Sequence, residues 1–168
     1  MESDAKASNS VSFNVEQEEM IDFKKYLIYL EGIRESLPKH IYEFARDVNR
    51  HSLSSPHSLH DSWISSITIR ENRNGTRPFN PKPSIEVVLL GPMHDRDIIL
   101  IYSEIEFYEI KGNKNEFNWG DTFHGDINRH EIRLKDNFFE HAIWLHSDSI
   151  IRIVFNEFEL KEKMHNTM

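Results

Sequence analysis

The spacing of apolar positions along this chain changes once, and the change divides it in two. From residue 16 to about 50 apolar residues recur every three or four positions. Met20, Phe23, Leu27 and Leu30 form one stripe, widened by Ile21 and Ile28, as in a helix with a single buried face. A second helix follows a short turn near "ESLP". Ser36 is placed to cap it, and Pro38 stands in its first turn, where a missing N–H costs little. Its buried face is Ile41, Phe44, Ala45 and Val48.

After the Ser/Pro break "NRHSLSSPHS" the spacing falls to two. Trp63, Ile67 and Ile69 alternate with Ile64, Ser66, Thr68 and Arg70, the mark of a half-buried strand. Five more runs follow: "SIEVVLL", "DIILIYSEIEFYEI", "INRHEIRL", "FFEHAIWLH" and "SIIRIVFNEFEL". Turn signals separate them at Asn74-Gly75, Gly91-Pro92, Lys135-Asp136-Asn137 and Ser147-Asp148. No helical stretch long enough for a parallel crossover intervenes. The predicted fold is α+β: two N-terminal helices packed on a twisted antiparallel meander of about six strands, with a helix-capped β-barrel as the alternative. Residues 1–15, small and polar, predict a flexible N-terminus, leaving 16–168 as a single domain.

Two of these strands are preceded by a His-Asp pair, His60-Asp61 in "SLHDSW" and His94-Asp95 in "MHDRD". A meander puts both pairs at one end of the sheet, roughly 10 Å apart across two strand spacings. Imidazole and carboxylate both ligate zinc or iron, so a metal or acid–base enzyme using these four residues is one reading. A second cluster, His124, Asp126 and His130, falls at the opposite end in that topology. The adjacency is also found in HD phosphohydrolases, but there the ligands sit on helices, and here both pairs precede strands. The preferred reading is structural: Asp61 and Asp95 bond nearby backbone where the chain turns into a strand. No catalytic residue, metal or cofactor is therefore assigned.

Composition narrows the classes further. The chain has no cysteine, which removes disulfides and thiolate metal sites and suits a reducing compartment. No signal-peptide pattern and no apolar run of about 20 residues is present, so a soluble cytoplasmic protein with no membrane partner is expected. A formal net charge of −8 argues against nucleic acid as partner and favours a basic protein. Neither a phosphate-cradling glycine loop nor G-x-S-x-G occurs. Glu104, Glu106 and Glu109, along one predicted strand, read as an exposed acidic face that discourages edge aggregation.

Two connections, "NRNGTRPFNPKP" (72–83) and "KGNKNEFNWGDTFHGD" (111–126), are long for hairpins, and such loops often carry function. The second holds Phe117, Trp119 and Phe123 among polar residues. These rings either fold back to plug the end of the sheet or anchor a partner, with Asp121 and Asp126 beside them to suit a basic one.

The run "LPKHIYEFARDVNRHSLSSPHSLHDSWI" followed by "LLGPMHDRDIILIY" resembles a group of small bacterial proteins of unassigned function sharing an LHD-[SA]-W and a GP-x-HDR pattern. The resemblance covers residues 37 to 160 and implies no catalytic residues. By type, a small, acidic, cysteine-free domain also resembles the immunity proteins of polymorphic toxin and contact-dependent growth inhibition systems. That likeness implies a protein that binds and neutralises a cognate toxin domain, a basic nuclease being the natural target. The residues expected to carry binding are Phe117, Trp119, Asp121, Phe123 and Asp126. A small-molecule carrier with a cavity between helices and sheet is the remaining alternative.

Overall fold

The computed structural model describes residues 23–166. Met20, Ile21 and the expected flexible segment 1–15 lie outside them. The described elements are α1 (Phe23–Gly32), α2 (Lys39–Arg46) and eight strands. These are β1 (Trp63–Asn72), β2 (Lys82–Leu90), β3 (Arg96–Ser103), β4 (Phe107–Lys111), β5 (Ile127–Lys135), β6 (Phe138–Leu145), β7 (Ile150–Phe155) and β8 (Glu157–Met164). The fold is α+β, with all strand pairing antiparallel.

The six-strand meander needs correction. The strands form two four-stranded sheets, ordered β1-β2-β3-β8 and β4-β7-β6-β5, and they close no barrel. The six predicted runs are all present, but two of them break. Run 97–110 turns a corner at Glu104, whose φ is 51°, and becomes β3 and β4. Run 149–160 bends at Asn156 and becomes β7 and the first part of β8. The two corners are bonded to each other, Asn156 N to Glu104 O (3.2 Å) and Glu106 N to Val154 O (2.9 Å). One long antiparallel pair is thus folded in the middle, and each half belongs to a different sheet. Glu104 and Glu106 sit at the corner, off any single strand.

Folding there lets the apolar faces bury each other. Ile85, Val87 and Leu89 of β2 and Ile98, Leu100 and Tyr102 of β3 share a core with Ile132, Ile143, Ile151, Ile153 and Phe155. Along β2 and β3 every second residue is buried, the period of a sheet with one inner face. A β-bulge between Ile64 and Ser66 shifts the phase of β1, so that Ile64 joins Ile67 and Ile69 opposite the buried Leu89, Val87 and Ile85 while Trp63 turns to the other face. Ile69, towards the end of this edge strand, is 42 % exposed.

The helices sit where β5 and β8 leave the core open. Phe44 of α2 touches the rings of His130, His141 and Phe158, on β5, β6 and β8. Leu30, Ile41 and Ala45 are fully buried as the spacing predicts, but Ile28 is 73 % and Val48 58 % exposed. Val48 escapes because α2 ends at Arg46. The Asp47 carboxylate accepts Asn49 N (2.9 Å) and starts a separate 3-10 turn at Val48–Arg50. Ser36 lies in another such turn, Arg34–Ser36, and makes no cap; Pro38 takes the N-cap position.

Candidate functional site

The connection from β4 to β5 is built around one buried side chain, Asn115. Its Oδ1 accepts Phe117 N (3.0 Å) and Asn118 N (2.8 Å), its Nδ2 donates to Thr122 O, and its own N donates to Phe123 O (2.8 Å). Asp121 N and Thr122 N both reach Asn118 O, at 2.9 and 3.1 Å. The loop therefore closes on itself with its backbone polar groups paired inward. Gly125, at φ +77°, completes the closure: a Cβ there would stand 3.1 Å from Asn115 Cβ. The turn between β6 and β7 holds the loop from outside, through Ser149 Oγ to Asn113 N (2.8 Å) and Ser147 Oγ to His124 O (2.5 Å).

The aromatic residues face outward from this knot. Phe117 is 87 %, Trp119 61 % and Phe123 54 % exposed, so they do not plug the end of the sheet. The Lys114 ammonium stands 4.4 Å above the Trp119 ring. Asp121 is exposed nearby. Asp126 is half-buried: its Oδ1 accepts Trp63 Nε1 at 2.5 Å, tying the loop's end to the start of β1. Beside the loop, Asn115, Phe117, Asn118, Gly125, Asp126 and His146 line a groove of about 290 Å³.

Phe107, Tyr108 and Ile110 continue the exposure along β4, whose five residues are all exposed. Of the twelve large apolar side chains exposed among the described residues, six fall between 107 and 123. Residues 104–126 also hold six carboxylates against two lysines. An acidic, aromatic patch is thus concentrated in one stretch of chain.

The His-Asp pairs take different surroundings. Both lie in turns directly ahead of β1 and β3, each with a left-handed residue, Asp61 (φ 63°) and His94 (φ 55°). His60 Nδ1 is 3.0 Å from Asp61 Oδ1, while Asp61 N donates to Ile127 O and Ser62 O accepts Ile127 N. His94 packs on Trp63 at 4.4 Å. Asp95 makes a two-point pair with Arg96, and the Arg96 guanidinium beside it holds its carboxyl below the usual range. Arg96 and Arg50 in turn meet Glu162, also bonded by His57. Among the described residues no group of three or more His, Cys, Asp or Glu is arranged to hold a metal. Asp126, expected at the far end from these pairs, lies against Trp63 at their own end, because the sheet order is not that of a meander.

A chain of buried polar side chains escaped the sequence reading. Tyr102 OH lies 2.7 Å from His141 Nδ1, His141 Nε2 lies 3.1 Å from His130 Nδ1, and His130 Nε2 lies 3.1 Å from Arg50 O. The carbonyl can only accept, so every proton in the row is fixed: Tyr102 donates to His141, His141 to His130, and His130 to the backbone. All three groups are satisfied when neutral. Burial pushes His141 down to about 3 and, with the neighbouring imidazoles, holds His130 well below its ordinary value. Burial likewise lowers His51, which stacks on His130 at 4.2 Å. The signal available was that His130 and His141 sit inside strands rather than at their ends.

His51, His60 and His130 also line a half-open cleft of about 350 Å³ with Phe23, Tyr26 and Val48. No helix among the described residues is long and apolar enough to cross a membrane. No protein-family model, curated protein or solved structure matches this chain.

Proposed function

We propose that this chain is a non-enzymatic binding protein, of the immunity type, that docks on a basic toxin domain of its own cell and masks the toxin's active site. One observation carries the reading: three aromatic side chains stand in solvent on a loop whose backbone is already locked by Asn115. Aromatic side chains dominate the energy of protein interfaces, and a preformed loop loses little entropy on binding. The acidic surroundings add complementarity to a basic partner, which speeds encounter and rejects wrong partners. The resemblance by type to immunity proteins points the same way.

The test starts from the tagged protein as bait in its source organism, with mass spectrometry as readout. A captured stoichiometric basic domain is then expressed, and its toxic activity is assayed with and without this chain. Trp119→Ala should weaken binding by about 2 kcal/mol or more while leaving thermal unfolding unchanged. Unaltered affinity would remove the loop from the interface, and an active toxin in the complex would remove the immunity reading.

The carrier reading keeps one supporting observation, the cleft between α1 and β5. A thermal-shift screen of small planar compounds tests it: a rise that Val48→Lys abolishes would favour it, and no rise would leave the cleft as packing.

A further inference from the structure

We propose that the partner adds a strand to the free edge of β4, and that this strand is basic at alternate positions. The inference rests on the binding-protein reading and specifies how that binding is made.

Four strands end the two sheets, and they are treated differently. β5 is bonded along its outer edge: Ile127 pairs with Asp61 and Ser62, Tyr26 OH both donates to Ile132 O and accepts Ile132 N, and Tyr29 OH accepts Leu134 N. β8 is flanked by α2 and held by Arg50 and Arg96 on Glu162. β1 carries a bulge and the charged Arg70 and Glu71, devices that discourage pairing with another chain. Among the described residues β4 carries no bulge, and its charged Glu109 and Lys111 oppose pairing with a like-charged chain rather than with a basic one. It pairs with β7 on one side only, and it exposes Phe107, Tyr108 and Ile110. An edge with apolar side chains and unpaired backbone groups is a template for an incoming strand.

Charge selects the occupant. Glu104, Glu106 and Glu109 stand on or just before β4, against Lys111. A second copy of this chain would bring six carboxylates together against two lysines, and like charges in cross-strand contact oppose pairing. A segment alternating basic and apolar residues matches both the carboxylates and the exposed rings. The loop rings Phe117, Trp119 and Phe123 follow β4 directly in the chain, so one partner can use both surfaces.

The probe is a synthetic decapeptide alternating lysine with valine, compared with one alternating glutamate with valine, added to the full chain. Backbone amide exchange, resolved by residue, is the readout. The lysine peptide should slow exchange within residues 107–111, and Glu109→Lys should weaken it about fivefold or more without changing thermal unfolding. Three results would overturn the inference: equal protection by both peptides, protection confined to 112–126, or protection of β4 without peptide in a self-associated protein. The last makes the occupant a second copy. With the captured partner in place of the peptide, sensitivity to Trp119→Ala with unprotected β4 amides would end this inference and leave the proposed function standing. Insensitivity to both variants would end the two together.

Discussion

β5 and β4 are the two edges of one sheet, and the chain treats them in opposite ways. β5 lies under α1, whose Tyr26 and Tyr29 hydroxyls supply the hydrogen bonds that a further strand would have made. Its inner side is pinned by the Tyr102–His141–His130 row. Among the described residues β4 has one neighbouring strand, and all five of its residues are exposed. An edge can be closed by side chains as well as by strands, but only where a helix holds them in place. The contrast separates a side that stabilises the molecule from a side that stays free to bind.

The sharpest way to break this contrast is to open the closed side from within. His141→Ala leaves a cavity, an orphaned Tyr102 hydroxyl and an unpaired His130 nitrogen. Denaturant unfolding should report a loss of about 3 kcal/mol or more. A loss below 1 kcal/mol would mean that the row is not what pins β5 to β6.

Acid should act on the same side. The folded pKa of His141 lies near 3 and that of His130 well below the ordinary value, so the unfolded chain binds more protons below about pH 6.5. Stability is therefore complete above that pH and declines as pH falls towards the folded values. His141 alone accounts for about 2 kcal/mol lost by pH 5. A denaturation series from pH 7.5 to 4.5 measures the slope, and a flat profile between pH 6.5 and 5 would contradict buried neutral imidazoles.

Removing one hydroxyl sharpens the comparison. Tyr26→Phe keeps the ring and strips both hydrogen bonds from Ile132, at a cost of about 2 kcal/mol. The amide of Ile132 should also exchange faster than those of β6. On the open side the matching change is small: Ile110→Lys should alter stability by less than about 1 kcal/mol, since its side chain is already exposed. A larger loss would show that β4 is held by packing rather than left free.

Much of this was legible in the chain. The shift from helical to alternating spacing placed both helices and all six strand-forming runs, because local burial imposes those periods whatever the partners are. The turn dipeptides were equally readable: Asp136 and Asp148 take the left-handed conformations that such turns need. The loop residues Phe117, Trp119 and Phe123 stood out as aromatics in a polar segment, and the structure holds them outward. What fixes them, Asn115, was hidden, since nothing in one asparagine shows that four backbone groups converge on it.

Strand order was the tertiary structure's decision. Period two says that a strand has an inner face, not which strand lies beside it, and the corner at Glu104 and Asn156 arises only when two long runs pair and bend together. That fold reversed the expected placement of Asp126 and brought Tyr102 into one row with His130 and His141 of the β5–β6 hairpin. It also determined which edge α1 closes. The sequence set local periodicity and charge, because these follow from each residue's own chemistry and near neighbours; adjacency between distant runs, and with it the open edge, required the packed core.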